Sequence, residues 1–279
     1  MESGSYKSVY RVTAKQTNTE EVLKVVGLPA KGQSDQEDAL YEQELGRVQR
    51  ETSILGRCDS PYVVKLGSIS PRIVTIDGHT CFAYTEELLQ GSTLSKVIHE
   101  NNLNSRKPTE PDVKKLLFCL VSAVQNLWEQ LRVVHRDIKP GNIFATNNPI
   151  RPYVLIDLGI AYDIAAPGLT LRKSEVPHTP LYVAPEMLNA NFRDTISYRS
   201  DLYSSALSAY EFAAGVHPLR PVDDDLRKTY TRVLMQEPDP LEKHRQDLSP
   251  AFCQLIDQLL KKSPPLRPAN MTYLLNQFR

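Results

Sequence analysis

The chain holds 279 residues, with 33 Lys+Arg against 33 Asp+Glu, so its formal net charge is zero; hydrophobic residues make up 41% and charged residues 24%. That is globular composition, enough for one large domain or two small ones, with no global basic field to hold nucleic acid or an anionic membrane. The scattered cysteines Cys58, Cys81, Cys119 and Cys253 form no C-x-x-C pair and no Cys/His cluster, which excludes a small disulfide scaffold and points to reduced thiols in a reducing, cytoplasmic setting.

The opening residues read as no signal peptide. The best apolar run, Leu116 to Val124, falls far below the ~20 residues of a spanning helix, so no membrane segment is expected. Up to about residue 90 the chain is rich in short β-branched and aromatic runs: Val9–Val12, Val22–Val26, Ile73–Ile76 and Cys81–Tyr84, with Asp77-Gly78 as a turn. They predict a small antiparallel sheet. One helix interrupts it: Ser34 with Glu37 reads as a capping box, although Pro29–Asp38 is polar and loop-like, and Leu45, Val48 and Leu55 recur at helical spacing. Glu51 lies on that apolar stripe. A carboxylate there either reaches out to water from the helix edge or meets a fixed cation.

Beyond residue 90 the pattern turns helical. Thr109 and Asp112 read as a capping box that opens a long helix with the stripe Leu116, Leu117, Leu120, Val121, Val124 and Leu127. Pro140-Gly141 marks a loop and Tyr153–Ile156 a short apolar strand. Further helices are predicted at Asp201–Ala214, Asp223–Met235, Pro250–Leu260 and Pro268–Gln277. The expected fold class is α+β: a small antiparallel β lobe with one helix (1–87) and a larger, mainly α-helical lobe (88–279). The cleft at their join is a usual place for a ligand.

The most informative stretch is His135-Arg136-Asp137-Ile138-Lys139-Pro140-Gly141-Asn142-Ile143-Phe144, which has the form H-R-D-x-x-x-x-N. Asp157-Leu158-Gly159 follows in the manner of D-F-G, then Ala184-Pro185-Glu186, while Val22-Leu23-Lys24 upstream has the shape of V-A-I-K. Each is weak alone; their order and spacing together are specific. The whole chain resembles a eukaryotic-like protein kinase domain, and Lys139, two residues after Asp137, resembles the serine/threonine branch. Thr179, five before Ala184, agrees with it.

That resemblance implies a set of roles. Asn142 and Asp157 would hold Mg²⁺ (or Mn²⁺) on the β and γ phosphates of ATP. Asp137 would accept the hydrogen bond of a protein Ser/Thr hydroxyl and aim it. Lys139 would reach the γ-phosphate, Lys24 the α and β phosphates, and Glu51 would hold Lys24. Val9, Val22, Phe144 and Ile156 would sandwich the adenine, and backbone groups near Glu87 and Leu89 would meet its edge, with Glu86 just before that hinge. Asp201 would brace the catalytic loop, Arg267 would pair with Glu186, and His135 would be structural. Arg136 would pair with a phosphate on the activation segment between Asp157 and Glu186, where Thr170 and Ser174 are the acceptor candidates.

The glycine-rich loop departs from the family pattern G-x-G-x-x-G-x-V. In the best register, Glu2 to Val9, only Gly4 and Val9 survive. The chain begins inside this loop, and the expectation is weaker nucleotide binding than an intact loop gives. Lys7 stands at the third glycine, where it either contacts phosphate or faces solvent; on this reading Lys7→Gly lowers the KM for ATP. The alternatives to an active kinase are a pseudokinase acting as a nucleotide-binding or scaffold module, and a small-molecule kinase on a related fold.

Overall fold

The computed structural model describes residues 7–15, 17–32, 34–164, 181–189, 191–219 and 226–279. Gly4, Thr170, Ser174 and Thr179 lie outside them. The first sheet is formed by β1 (Lys7–Ala14), β2 (Thr19–Gly27), β3 (Arg72–Ile76) and β4 (His79–Glu87), with helix α1 (Asp35–Arg57) between β2 and β3. Its order is β1-β2-β4-β3, antiparallel throughout. The β-branched runs form these strands because their branched side chains fit a pleated, half-buried surface. Ser34 caps α1 by accepting the Glu37 N–H at 3.2 Å, so the helix starts at Asp35 and takes in the end of the stretch expected to be a loop.

A short connection leads from β4 into β5 (Gly91–Thr93), α2 (Leu94–Leu103) and the long α3 (Glu110–Leu131). At Gly91, with φ 143°, an added Cβ would lie 2.0 Å from the Ala145 carbonyl oxygen, so the chain needs glycine to turn there. Next come β6 (Val133–Val134), β7 (Ile143–Thr146), β8 (Tyr153–Leu155) and β9 (Tyr162–Asp163). They pair as two small antiparallel sheets, β5-β7-β8 and β6-β9. The chain then continues through α4 (Phe192–Thr195), α5 (Tyr198–Ala214), α6 (Leu226–Met235), α7 (Pro250–Leu259) and α8 (Met271–Gln277).

The C-terminal region is built on α3 and α5. The predicted stripe of α3, Leu116 through Leu127, is fully buried, and its capping box forms as read, with Thr109 and Asp112 exchanging side-chain-to-backbone bonds. Helix α5 is buried nearly all round, so a polar residue on it gains by finding a partner inside. Ser204 and Ser208 do so by donating to carbonyls four residues back. A β-sheet region with one helix, followed by a helical region, is the bilobal α+β architecture expected. Among the described residues no helix is long and apolar enough to cross a membrane.

Candidate active site

The H-R-D stretch leaves β6 as a loop that a buried carboxylate holds from below. Asp201, on α5, accepts the backbone N–H of His135 at 2.7 Å and of Arg136 at 2.9 Å. Burial pushes the Asp201 carboxyl above the ordinary range, against the pull of His135 and of those N–H groups. His135 is buried and accepts the Asp137 N–H on Nδ1 at 3.3 Å. Arg136 takes a left-handed φ of 70°, and its guanidinium lies over the Tyr162 and Phe192 rings.

Asp137 gathers two donors on one oxygen. Lys139 Nζ and Asn142 Nδ2 each lie 2.7 Å from Oδ2, and Asn142 Nδ2 also reaches the Asp137 carbonyl at 2.9 Å. The Ile156 N–H bonds the Asn142 carbonyl at 2.9 Å, which ties the end of β8 to the loop and brings the next residue, Asp157, beside it. Asp157 has φ 65°, and its Oδ1 accepts the Gly159 N–H at 3.1 Å. Burial would raise the Asp157 carboxyl, but Lys7, Lys24 and that N–H outweigh it and hold the group below the usual carboxylate range.

The expected Lys24–Glu51 pair does not form. Lys24 Nζ bonds Glu86 Oε1 at 2.5 Å, and Glu51 Oε1 instead receives Lys7 Nζ at 3.1 Å and the Tyr84 hydroxyl at 2.9 Å. Strand register is the cause. Lys24 lies opposite Tyr84, which puts Glu86 on the same face one diagonal step away, and Lys7 lies opposite Val26 on that face too. Tyr84 and Lys7 therefore occupy Glu51, while Glu86 occupies Lys24. Glu51 is buried at 2% exposure, so the reading of a helix edge reaching to water is excluded, and the cation it needed is Lys7. Lys7 points inward rather than to solvent, and also lies 3.6 Å from Asp157. Burial would lower the Lys7 ammonium, but the Glu51 and Asp157 carboxylates hold it above its ordinary value. Burial raises the Glu86 carboxyl, with Lys24 opposing.

Lys7, Lys24 and Glu86 border one cavity of about 350 Å³, within the size range of small-molecule sites. Val9 and Val22 line it from the sheet, Phe144 and Ile156 line it from the other side, and Asn142 and Asp157 stand on its wall. Glu87 and Leu89 lie along the edge formed by the β4–β5 connection. The Glu87 side chain turns away from it to a bidentate pair with Arg151, at 2.7 and 2.8 Å, and its N–H goes to the Lys65 carbonyl. Sequence reasoning missed Tyr84 and Glu86 as charge partners and Val64 as a further wall. Alternation along β4 put Tyr84 and Glu86 on one face, but nothing in the sequence fixes which β2 residue they oppose.

The donor set fits a divalent cation. Asp157 supplies a carboxylate that stays ionised. Asn142 is anchored through Nδ2, and its Oδ1, which accepts no hydrogen bond among the described residues, remains as a second hard oxygen. Farther off, Arg267 holds Glu186 through two buried bonds of 2.7 and 2.9 Å, so the A-P-E turn is fixed to the C-terminal region.

Comparison with known proteins agrees with this geometry. The profile of the protein kinase domain matches residues 2–278, so the chain belongs to that family. Similar proteins include the dual specificity mitogen-activated protein kinase kinase mek-1 of Caenorhabditis elegans, 31% identical over 56% of this chain and 42% of the relative. Another is MAP kinase kinase PBS2 of Saccharomyces cerevisiae, 27% identical over 95% of this chain and 36% of the relative. A third is the serine/threonine-protein kinase DCLK1 of Rattus norvegicus, 29% identical over 76% of this chain and 45% of the relative. The chain thus spans less than half the length of each of these three. Members of this family are phosphotransferases that use ATP and a divalent metal.

Proposed function

We propose that this chain is an active serine/threonine protein kinase that transfers the γ-phosphate of Mg·ATP to protein hydroxyls. The observation that carries the reading is that Asn142 and Asp157 share one cavity wall while Asn142 Nδ2 is bonded to the Asp137 carboxylate beside it. Phosphoryl transfer asks a protein chiefly to position groups and offset charge. When bound, a divalent cation neutralises phosphate charge; Asp157 and Asn142 Oδ1 would hold it. Asp137 would accept the proton-bearing side of the substrate hydroxyl, and Lys139, already 2.7 Å from Asp137, would place positive charge beside the γ-phosphate. Val9 and Val22 would face Phe144 and Ile156 across the adenine. Lys139 is the feature that favours serine and threonine as acceptors.

Regulation by phosphorylation of the activation segment is part of this reading. Nε and Nη2 of Arg136 are buried without a hydrogen-bond partner among the described residues. Burial, with Arg193 adding repulsion, pulls the guanidinium down to about 10. A phosphate would satisfy such a cation. Mass spectrometry of active protein should find Thr170 or Ser174 modified; both unmodified would remove this element.

One observation favours a second reading, a nucleotide-binding or scaffold module without turnover: Lys24 is committed to Glu86 rather than Glu51. Incorporation of label from γ-labelled ATP into a generic acceptor separates the two. The kinase reading expects incorporation that Asp137→Asn removes, whereas the scaffold reading expects equal, background incorporation in both.

A further inference from the structure

We infer that Lys7, rather than Lys24, is the lysine that joins the triphosphate of the nucleotide to helix α1 in this protein. This rests on the kinase reading and deepens it by assigning a phosphate-contacting residue. The junction needs one cation within reach of the Glu51 carboxylate, of the metal-holding Asp157 and of the cavity. Lys7 meets all three conditions: Nζ is 3.1 Å from Glu51 and 3.6 Å from Asp157, and the residue lines the cavity. Lys24 lines the cavity and also helps hold the Asp157 carboxyl ionised, but it does not reach Glu51. Its Nζ is bound to Glu86 at 2.5 Å, both residues are buried, and Glu51 Oε1 is held by Lys7 and Tyr84 instead.

Charge counting gives the same answer. Glu51, Glu86 and Asp157 face this end of the cavity with Lys7 and Lys24. Glu86 already neutralises Lys24. Lys7 is the cation that stands against the other two, Glu51 and Asp157; without it an incoming triphosphate would meet both carboxylates uncompensated, which repels it. The pleat makes the transfer possible: Lys7 and Lys24 sit on neighbouring strands, opposite Val26 and Tyr84, and point to the same face of the sheet. The lysine at the third glycine position of the phosphate loop is therefore a working cation, and Lys7→Gly should raise the KM for ATP, the reverse of the expectation from sequence.

The test compares wild type, Lys7→Met, Lys7→Arg, Lys24→Met and the double variant Lys7→Met/Glu86→Gln. Steady-state kinetics with ATP are measured alongside Mg·ADP affinity by calorimetry. If wild type neither binds Mg·ADP nor transfers phosphate, the kinase reading itself fails. Given an active wild type, Lys7→Met should lower kcat/KM by about 100-fold and weaken Mg·ADP by about tenfold, with Lys24→Met milder. Lys7→Arg keeps the cation and should retain most of the Mg·ADP affinity, which separates loss of charge from loss of fold. Glu86→Gln releases Lys24, so the double variant should recover about tenfold in kcat/KM over Lys7→Met. Lys7→Met within about twofold of wild type, or a double variant no better than Lys7→Met, would overturn the assignment.

Discussion

One carboxylate oxygen of Asp137 holds both the Lys139 ammonium and the Asn142 amide, and the proposed transfer needs that carboxylate as an acceptor. Asp137→Asn preserves size and removes the acceptor charge. It should lower kcat by about 100-fold or more while the thermal melt stays near that of wild type; unchanged kcat in a steady-state assay would count against the role. At this scale the sequence was legible wherever residues follow one another closely. Asp137, Lys139 and Asn142 lie within one loop, and their spacing alone brings them together. It was illegible where the partner sits on another strand. Glu51 stands on the inward stripe of its helix and the resemblance makes Lys24 its partner, but the pairing between them depends on β2–β4 register, and Tyr84 and Glu86 decide it otherwise.

Helix α3 shows what one element owes to its first turn. Thr109 and Asp112 satisfy each other's backbone donors at the N-terminus. Burial would raise the Asp112 carboxyl, but the Thr109 hydroxyl and N–H override it and hold it below the ordinary range. A carboxyl lowered in the folded state contributes stability above its unfolded value, and that stability is lost as pH falls through the lowered value. Asp112→Ala should therefore cost about 1 kcal/mol at neutral pH. Chemical denaturation repeated across pH should show that cost shrinking below about pH 4; a cost independent of pH would contradict the cap. This helix was readable because cap and stripe agree. Helix α2 went unread because its sequence is polar and only Leu94 and Ile98 are buried. The strands β5, β6, β8 and β9 are two or three residues long, too short for alternation to register, apart from the apolar run that marked β8. Helix α8 starts at Met271, later than Pro268, because Asn270 caps it by accepting the Tyr273 N–H at 2.9 Å.

Over the whole molecule, the A-P-E turn and the C-terminal helices are joined by one buried ion pair spanning 81 residues of sequence, Glu186 with Arg267. Removing one partner leaves a buried charge uncompensated, so Arg267→Ala should cost about 3–5 kcal/mol in a urea melt. A loss below about 1 kcal/mol would show the pair to be dispensable. The two-region architecture was visible from the change of period near residue 90, since β-branched runs give way to helical stripes there. The proposed activity requires the cavity to receive a metal-bound triphosphate, with Asp157 and Asn142 on the metal and Asp137 facing the γ-phosphate. A crystal structure of the protein with magnesium and a non-hydrolysable ATP analogue tests this most directly. The metal should lie about 2.0–2.1 Å from oxygens of Asp157 and Asn142, with the adenine between Val22 and Phe144. Nucleotide bound elsewhere, or a metal that touches neither residue, would contradict the account.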